Sequence, residues 1–442
     1  MGKSRVLLVR PEESRSKYDF QGVIENECLE LEWIRRILED VGYIVTVVDK
    51  QVETLSFQEF ISDRDFDVFY GECRCFQESF LLEYVKAFKQ KCNGLTIVGG
   101  IHAQMCKERL FVDETDLVLS GYNYTDLPQI IEGNRDIPNL SYRKNGNWVI
   151  NATRPTDIKT LPWPNREYFY SHPDRYPYLD LKHAMWIRSS FSCPYRCRFC
   201  LRNHMNQGIY SRRDVPDLVD EIEQNDNENV YLVDDDFLYD ENYLRRFIEE
   251  IKKRKIRRKY ICYGRADFIA DHEDIVAEFK EIGLVYLLVG LEDIRDEKLL
   301  SYNKHNTVRN NEKCIRICHK HQIRLMAMFI LGLDFRGKDF RDLYAYIKKH
   351  QLKYVAVSIY TPELGLETEE EYITSDPSDF DYLHLLCRPK YLSVRMWYLH
   401  YYLLLIRLFL KGRRERVYDF IDYGAYIRSF IGNIFKRRKE NA

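Results

Sequence analysis

The sequence FSCPYRCRFC, residues 191–200, decides how this chain folds and what it can bind. It brings Cys193, Cys197 and Cys200 together in the spacing C-x3-C-x2-C. These cysteines follow the apolar run AMWIRSSF, which predicts a strand, so the triplet occupies the loop at the carboxyl end of that strand. Three thiolates suit an iron–sulfur cluster and leave one iron without a protein ligand.

The triplet resembles the cluster motif of the radical S-adenosylmethionine (radical SAM) superfamily. Members carry this spacing, usually with an aromatic residue before the third cysteine, and Phe199 stands at that position. The resemblance implies a [4Fe-4S] cluster whose open iron binds the amino and carboxylate groups of S-adenosylmethionine. In the superfamily an electron from the cluster then cleaves the sulfonium and releases a 5′-deoxyadenosyl radical.

A structural zinc site is the alternative interpretation of the same residues. His204 lies four residues after Cys200 and would complete a Cys3His set. Zinc ribbons and fingers bring ligands from two separated pairs, whereas this triplet occupies one loop that is followed by a long α/β pattern. The placement therefore favours the cluster.

Length and composition limit the remaining choices. A chain of 442 residues exceeds what one hydrophobic core usually serves, so we expect two domains and a further carboxyl-terminal segment. The net charge of -2 gives no reason to expect a nucleic-acid partner. Twelve cysteines, with no signal peptide before the first strand-like run, predict unpaired thiols and a reducing, cytoplasmic compartment.

Residues 1–133 alternate strand and helix patterns. The runs RVLLVRP, YIVTVVD, DFDVFYGE, LTIVGG and DLVLSG are predicted to be five strands separated by helices. This order predicts a parallel sheet with a flavodoxin-like, doubly wound topology. In such a sheet a ligand lies outside the carboxyl ends of the strands.

This unit resembles the cobalamin-binding domain that precedes the barrel in one large radical SAM subfamily. Members commonly carry a Gly-Gly-x-His turn at the end of the fourth strand, here Gly99, Gly100 and His102. The resemblance makes these three residues candidates for cofactor binding. A tight turn that needs a positive φ angle is the alternative explanation of the glycines.

Two departures from the subfamily leave cobalamin binding open. No D-x-H-x-x-G motif follows the first strand, where Asp19–Gly22 is the nearest match and contains no histidine to bind cobalt. Glu72 stands after the third strand, where the subfamily usually has a small serine, and an acidic side chain would crowd the corrin there. The alternatives are a domain that binds cobalamin and an empty, structural version of it.

Residues 134–180 are predicted to connect two domains. Asn145-Gly146, flanked by strand-like residues, is a strong hairpin signal, and Pro162 and Pro164 favour an extended chain. This passage also resembles the connector of the cobalamin subfamily.

Residues 181–368 repeat a strand–helix pattern six times, which suits the superfamily's open (β/α)6 partial TIM barrel. Such a barrel presents its chemistry at the carboxyl ends of its strands. Polar residues follow the second, third and fourth strands there, namely Asp235, Asp236, Arg265, Asp267 and Glu292.

The resemblance implies roles for four of these residues. Asp235 and Asp236 match the acidic position that contacts the amino group of S-adenosylmethionine. Arg265 suits a bidentate contact to a carboxylate of S-adenosylmethionine or of the substrate. Glu292 matches a Gly-x-Glu of the fourth strand and would accept hydrogen bonds from ribose hydroxyls. An ordinary surface ion pair is the alternative for each.

Residues 369–442 are predicted to be a helical segment. The run WYLHYYLLLIRLFLKGRRER is apolar and aromatic, but Arg407 breaks it before the ~18 uninterrupted apolar residues of a spanning helix. It suits either a helix packed on the barrel or an interfacial helix in peripheral contact with a membrane.

These observations predict a biosynthetic radical SAM enzyme that abstracts hydrogen from an unactivated carbon of a small-molecule or lipid-like substrate. A reductase, flavodoxin or ferredoxin would supply the electron. Cobalamin-dependent C-methylation, a transferase reaction, is the leading outcome. A cobalamin-independent cyclisation, dehydration or rearrangement is the alternative, and a non-catalytic, zinc-stabilised binding protein is a distant third.

Overall fold

The computed structural model of the chain describes residues 4–12, 24–366 and 368–421. Its first part contains β1 (Arg5–Arg10), α1 (Leu29–Asp40), β2 (Ile44–Asp49), α2 (Phe57–Ile61), β3 (Val68–Glu72), α3 (Glu78–Lys91), β4 (Leu95–Gly99), α4 (Ile101–Cys106), β5 (Leu117–Leu119), α5 (Leu127–Ile131), β6 (Leu140–Lys144), β7 (Asn147–Ile150) and α6 (Glu167–Tyr170).

The second part contains β8 (Met185–Ile187), β9 (Ser190–Phe191), β10 (Ser211–Arg212), α7 (Val215–Gln224), β11 (Asn229–Leu232), α8 (Glu241–Arg254), β12 (Lys259–Gly264), α9 (Ala266–Asp271), α10 (Glu273–Glu281), β13 (Leu284–Glu292), α11 (Asp296–Ser301), α12 (Val308–Lys320), β14 (Arg324–Leu331), α13 (Gly337–Lys349), β15 (Tyr354–Ile359) and α14 (Val394–Arg414). Short 3₁₀ turns lie at Cys75–Gln77, Lys107–Leu110, Tyr124–Asp126, Ile158–Thr160, Leu201–Asn203, Met205–Gly208 and Pro377–Asp379.

The first sheet has seven strands in the order β2-β1-β3-β4-β5-β6-β7. Strands β1 to β5 are parallel, and their order 2-1-3-4-5 is the doubly wound order that the strand–helix alternation predicts. Strand β1 is buried from Val6 to Arg10, as expected for a parallel sheet with helices on both faces.

The hairpin predicted at Asn145-Gly146 is present. Both residues are left-handed, with φ angles of 53° and 82°, as a type I′ turn requires. Its strands β6 and β7 extend the first sheet, because β6 pairs antiparallel with β5 and β7 pairs antiparallel with β6. In the structure the hairpin is therefore the outer edge of the first sheet.

The second sheet has six parallel strands in the order β15-β14-β13-β12-β11-β8. Strands that follow one another along the chain are neighbours in this sheet, as six strand–helix repeats predict. The run AMWIRSSF leaves the sheet after β8. Ser189 and Ser190 turn towards Asp234, which accepts hydrogen bonds from the Ser189 N–H at 3.0 Å and from both hydroxyls, and β9 then pairs with β10.

The two sheets share one apolar core. Phe191 of β9 stacks on Tyr122 with ring centroids 4.0 Å apart and meets Trp33 of α1 edge-on at 6.0 Å. The buried Arg166 guanidinium joins the two parts, with Nη1 3.3 Å from Glu27 after β1 and Nη2 2.9 Å from Glu221 on α7. Removing one partner of such a buried pair typically costs about 3–5 kcal/mol.

Helix α14 packs on α13, as one of the two interpretations of the carboxyl-terminal run predicts. Trp397 is fully buried and meets Phe340 of α13 edge-on, with ring centroids 5.4 Å apart. Lys411 Nζ donates to the Leu352 carbonyl at 2.6 Å. Within residues 4–12, 24–366 and 368–421, no helix has the length and apolar character needed to cross a membrane.

Candidate active site

A cavity of about 570 Å³ lies where the carboxyl ends of the two sheets meet. Residues at or after the ends of β1, β3 and β4 line one side, and residues at or after the ends of β9, β11, β12 and β13 line the other. Most residues singled out from the sequence belong to this wall, namely Cys193, Cys197, Phe199, Cys200, Asp235, Asp236, Arg265, Glu292, Glu72 and Gly100. Gly99, His102 and Asp267 do not line it.

The cysteine loop is tied to the segment after α11. The Arg198 N–H donates to the Tyr302 carbonyl at 3.0 Å, and Asn303 Nδ2 donates to the Arg196 carbonyl at 2.8 Å. The Phe199 ring meets the Tyr302 ring edge-on at 5.2 Å. These three contacts hold the loop against the segment after α11.

The three thiols differ in exposure. Cys197 is buried, whereas Cys193 and Cys200 are half-buried. Burial raises the pKa of Cys193 and of Cys200 to about 12, so the free thiols hold their protons at neutral pH. Iron binds the deprotonated form of cysteine, so cluster assembly must release these protons.

Arg265 follows β12 and supports the cysteine loop. Its Nε and Nη2 form a bidentate pair with Asp267 at 3.0 and 2.7 Å, and its guanidinium stacks on the Tyr195 ring at 3.8 Å. Its Nη1 lies 3.8 Å from Cys197 Sγ. Asp267, which lies outside the cavity wall, therefore orients Arg265, and Arg265 in the wall brings positive charge to a predicted cluster ligand.

Sequence reasoning misses Lys304, which the structure places in the cavity wall. This lysine is buried; its Nζ donates to Glu292 Oε1 at 2.8 Å and lies 5.8 Å from the centre of the Phe199 ring. Its carbonyl accepts a hydrogen bond from Arg265. A single lysine twelve residues after Glu292 has no spacing signal, so only the fold reveals it.

Glu292 ends β13 at an irregularity of the strand. The pairing with β14 passes from Gly290 directly to Glu292, and Glu292 has a φ angle of 62°, which is uncommon outside glycine. A Cβ at Gly290 would lie 2.1 Å from Glu292 Oε1 and 3.0 Å from Lys304 Nζ. A side chain at position 290 would therefore occupy the space that the Glu292–Lys304 ion pair uses. This explains in structural terms why glycine stands two residues before Glu292.

The acids that follow β11 have different surroundings. Asp234 binds the serines after β8 and has a structural role. Asp235 Oδ1 lies 3.4 Å from Arg202 Nε, and both residues line the cavity. Asp235 is therefore already charge-balanced by the protein itself.

Asp236 is buried in the cavity wall and differs from its neighbours. Among the described residues, neither of its carboxylate oxygens has a hydrogen-bond partner of ordinary geometry. Burial raises the pKa of Asp236 to about 7, against the lowering effect of Arg265 and Lys304. A buried carboxyl group without a partner is costly, and a cationic ligand group would relieve that cost.

The two glycines after β4 have different neighbours. Gly100 lines the cavity with a φ angle of 89°, and a Cβ there would lie 3.0 Å from the Cys73 backbone nitrogen. A Cβ at Gly99 would lie 2.2 Å from Tyr70 Oη. Gly99 thus makes room for packing within the sheet, and Gly100 makes the turn and leaves bare backbone towards the cavity.

His102 is turned away from the cavity. Its Nε2 lies 2.6 Å from Glu78 Oε2, and Glu78 also binds Arg109 through two contacts of 2.7 and 2.8 Å. The buried His102–Glu78 pair, which the exposed Arg109 extends, joins α4 to α3. The Gly-Gly-x-His turn therefore contributes Gly100 to the cavity wall and uses His102 for packing.

Glu72 lies at the end of β3, and its buried side chain is part of the cavity wall. The sequence predicts this place for it, because the subfamily that the first unit resembles usually has a small serine at this position. Burial and the nearby Glu30 raise the pKa of Glu72 to about 8, against the lowering effect of Arg10 and Arg74. The group is therefore largely protonated at neutral pH. The weak match at Asp19–Gly22 lies outside the described residues.

His204, the fourth ligand that a zinc site would need, is exposed and lies outside the cavity wall. In the part of the chain that the structure describes, no three His, Cys, Asp or Glu side chains converge as ligands of one metal ion would. Thiolates of a four-iron cluster each bind a different iron, so they need not converge in that way.

The model of the radical SAM superfamily matches residues 187–368, the segment that contains the triplet and the second sheet. The chain carries a radical SAM domain. It is 25% identical over 324 residues to the anaerobic magnesium-protoporphyrin IX monomethyl ester cyclase of Cereibacter sphaeroides, a match that covers 68% of this chain and 53% of the cyclase. It is 24% identical over 382 residues to the hopanoid C-3 methylase of Methylococcus capsulatus, covering 81% of this chain and 72% of that enzyme.

The fold is also similar to solved structures. The radical SAM methyltransferase TsrM from Kitasatospora setae, with cobalamin and a [4Fe-4S] cluster bound, has a TM-score of 0.66 at 17% identity, covering 89% of this chain and 84% of that one. The chain therefore shares its fold, over most of its length, with this solved structure. The chain spans only about half the length of the cyclase that it matches.

Proposed function

We propose that this radical SAM enzyme binds a [4Fe-4S] cluster and S-adenosylmethionine in the 570 Å³ cavity and functionalises an unactivated C–H bond of an apolar small molecule. The observation that carries the proposal is Asp236, a buried carboxyl group that has no hydrogen-bond partner of ordinary geometry among the described residues and lies in the same cavity wall as Cys193, Cys197 and Cys200. The ammonium group of S-adenosylmethionine is the cation that such a wall fits.

Seven polar residues of the wall have a part in this proposal, namely Cys193, Cys197, Cys200, Asp236, Arg265, Glu292 and Lys304. The three cysteines hold the cluster, which when bound supplies the electron that cleaves S-adenosylmethionine to the 5′-deoxyadenosyl radical. Asp236 would accept hydrogen bonds from the ammonium group, and Arg265, whose Nε and Nη2 pair with Asp267, would add positive charge on the side of the carboxylate. Glu292, oriented by Lys304, accepts hydrogen bonds from ribose hydroxyls.

The deeper wall of the cavity indicates the substrate class. It is built from aromatic rings, aliphatic side chains and thioethers, namely Tyr178, Trp186, Tyr231, Tyr263, Leu288, Met326, Met328 and Ala356. Such a lining favours a hydrocarbon-rich, uncharged group, and methionine adapts to irregular shapes. It also keeps water from the reactive centre, which protects a radical from side reactions.

Cobalamin-dependent C-methylation is the outcome that we propose first. The relatives named above include a methylase, and Gly100 leaves bare backbone towards the cavity at the end of the first sheet. Bound there, cobalamin would supply the methyl group. The proposed units are residues 1–133 for cobalamin, 134–180 as connector, whose hairpin extends the first sheet, 181–368 as radical SAM partial barrel and 369–442 as a carboxyl-terminal segment. Within this last segment, which the sequence predicts to be helical, the described residues contain α14, and residues 422–442 lie outside the described part of the chain.

One observation favours the second candidate, a cobalamin-independent cyclisation, dehydration or rearrangement. Glu72 occupies the cavity wall at the place a corrin would approach. A corrinoid would have to displace this buried side chain. The first unit would then serve to close the cavity rather than to hold a cofactor. In both candidates a reductase, flavodoxin or ferredoxin supplies the electron.

The test is S-adenosylmethionine cleavage by anaerobically reconstituted protein under reducing conditions, with 5′-deoxyadenosine measured by mass spectrometry. Wild type should form it and Cys197→Ala should not. Cys92→Ala, which changes a half-buried cysteine at the end of α3, is the matched control and should retain the activity. Equal product from wild type and Cys197→Ala would contradict the proposal.

A further inference from the structure

Helix α14 has two apolar faces, and among the residues that the structure describes only one of them is covered. Trp397, Tyr401 and Leu404 are buried on the side that packs on the barrel. The opposite side presents Met396, Leu399, Leu403, Ile406 and Leu410, each between 40% and 60% exposed. We call this second set the docking face. Its spacing of three and four residues places the five side chains in one stripe along a helix about 31 Å long.

All charged side chains of α14 are basic. The helix contains no Asp or Glu between Val394 and Arg414, whereas Arg395, Arg407 and Arg414 are exposed on it. Arg407 and Arg414, seven residues apart, border the docking face along one edge, because seven residues make nearly two turns. An apolar stripe bordered by arginines fits a partner that has an anionic surface layer over an apolar interior.

We propose that α14 lies in the surface of an anionic lipid membrane, with the docking face in the apolar region and the arginines at the headgroups. A second copy of this chain fits the face less well, since two such helices would bring arginines together with no acidic residue on either α14 to balance them. The helix binds at the surface and does not cross, in keeping with its buried opposite face.

This position bears on how an apolar substrate would reach the cavity, a point that rests on the proposed function. Helix α14 packs on α13, which precedes β15, the edge strand of the second sheet. Ala356 of β15 lines the cavity. Helix α14 is therefore connected through α13 to a strand of the cavity wall, and a membrane surface would supply a hydrocarbon-rich substrate to this part of the protein.

The experiment is co-sedimentation of the full chain with vesicles of phosphatidylcholine alone or mixed with phosphatidylglycerol. Wild type should bind the anionic vesicles and not the neutral ones at the same ionic strength. Arg407→Glu/Arg414→Glu should weaken partitioning by about 25-fold or more, because each basic residue near an anionic surface contributes about five-fold. Leu399→Asn/Ile406→Asn should weaken it by about ten-fold or more.

Two matched pairs control for surface composition. Val41→Asn/Leu55→Asn changes apolar residues that are 61% and 51% exposed in the first unit, and Lys313→Glu/Arg316→Glu reverses two exposed charges on α12. Both pairs should bind vesicles as wild type does. All variants should form 5′-deoxyadenosine in detergent-free solution, so loss of vesicle binding is distinguishable from failure of the proposed chemistry.

Three results would overturn the proposal. The first is anionic-vesicle binding that the docking-face and arginine variants leave unchanged. The second is a dimer, measured by light scattering, that Leu399→Asn/Ile406→Asn dissociates, which would make the face a contact between copies. The third is a fall of several degrees in the melting temperature of that variant, which would mean that another part of the chain covers the face.

Discussion

Replacing Asp236 by asparagine should strengthen the fold and weaken the binding of S-adenosylmethionine. The carboxyl group is buried without a partner among the described residues, so ionising it in the absence of ligand is unfavourable. A pKa near 7 in the fold against about 3.9 in the unfolded chain corresponds to at most about 4 kcal/mol at pH 8. Asparagine keeps the shape and removes the ionisation.

The sign of the pH dependence follows from the raised pKa. Between about pH 4 and pH 7 the folded protein binds more protons at Asp236 than the unfolded chain does, so wild type loses stability as the pH rises through that window. The Asp236→Asn variant should lose less stability over the same pH range. The difference in the free energy of unfolding should therefore be near zero at pH 4 and largest above pH 7.

Binding should change in the opposite direction. A charge-assisted hydrogen bond between carboxylate and ammonium contributes about 1.5–3 kcal/mol, so the affinity for S-adenosylmethionine should fall by about 10- to 150-fold. Urea unfolding of cluster-free protein at pH 5 and pH 8 measures the first effect, and calorimetric titration of the reconstituted protein measures the second. Asp226→Asn, an exposed carboxylate before the amino end of β11, is the control for both. A variant that unfolds more easily and binds S-adenosylmethionine as wild type does would refute the reasoning.

Three further predictions concern the same cavity. Glu292→Gln should weaken S-adenosylmethionine binding by about ten-fold or more while iron content is unchanged, and Glu278→Gln, whose ion pairs on α10 are exposed, should not, as calorimetry would measure. Gly290→Ala should weaken binding in the same direction, because its Cβ would lie 2.1 Å from Glu292 Oε1 and the carboxylate would have to shift; unchanged affinity would mean that the flexible carboxylate moves aside without loss of the contact. If Glu72 blocks a corrin, gel filtration should separate wild type from hydroxocobalamin while Glu72→Ser retains its absorbance, and retention by wild type would show that the glutamate is no obstacle.

Much of the fold could be predicted because its pattern is local. Apolar runs alternating with amphipathic segments identify the parallel strands, and Asn145-Gly146 identifies its hairpin from two residues. The sequence could not show that this hairpin joins the first sheet, since pairing with β5 depends on tertiary contacts. The sequence pattern does not predict helices α9 and α11, because each has only six residues and no full amphipathic period.

The part of the site that could be predicted from the sequence is the part in which the chemistry requires a fixed spacing of residues or a place at a strand end. The cysteine triplet and Asp236 come from adjacent loops at the strand ends, and the structure brings them to one cavity. Lys304 and the partner of His102 could not be predicted, because both depend on side chains that meet only in the fold. Lys304 pairs with Glu292 across a strand bulge, and His102 turns to Glu78 on a neighbouring helix.

Metal analysis of anaerobically purified protein tests the central claim most directly. The account predicts about four irons per chain, bound through Cys193, Cys197 and Cys200 and lost in Cys197→Ala, because three thiolates and one open iron are what S-adenosylmethionine chelation needs. Iron should rise to that level on reconstitution with iron and sulfide. Stoichiometric zinc in its place, retained whatever the iron supply and unaffected by reconstitution, would contradict the account.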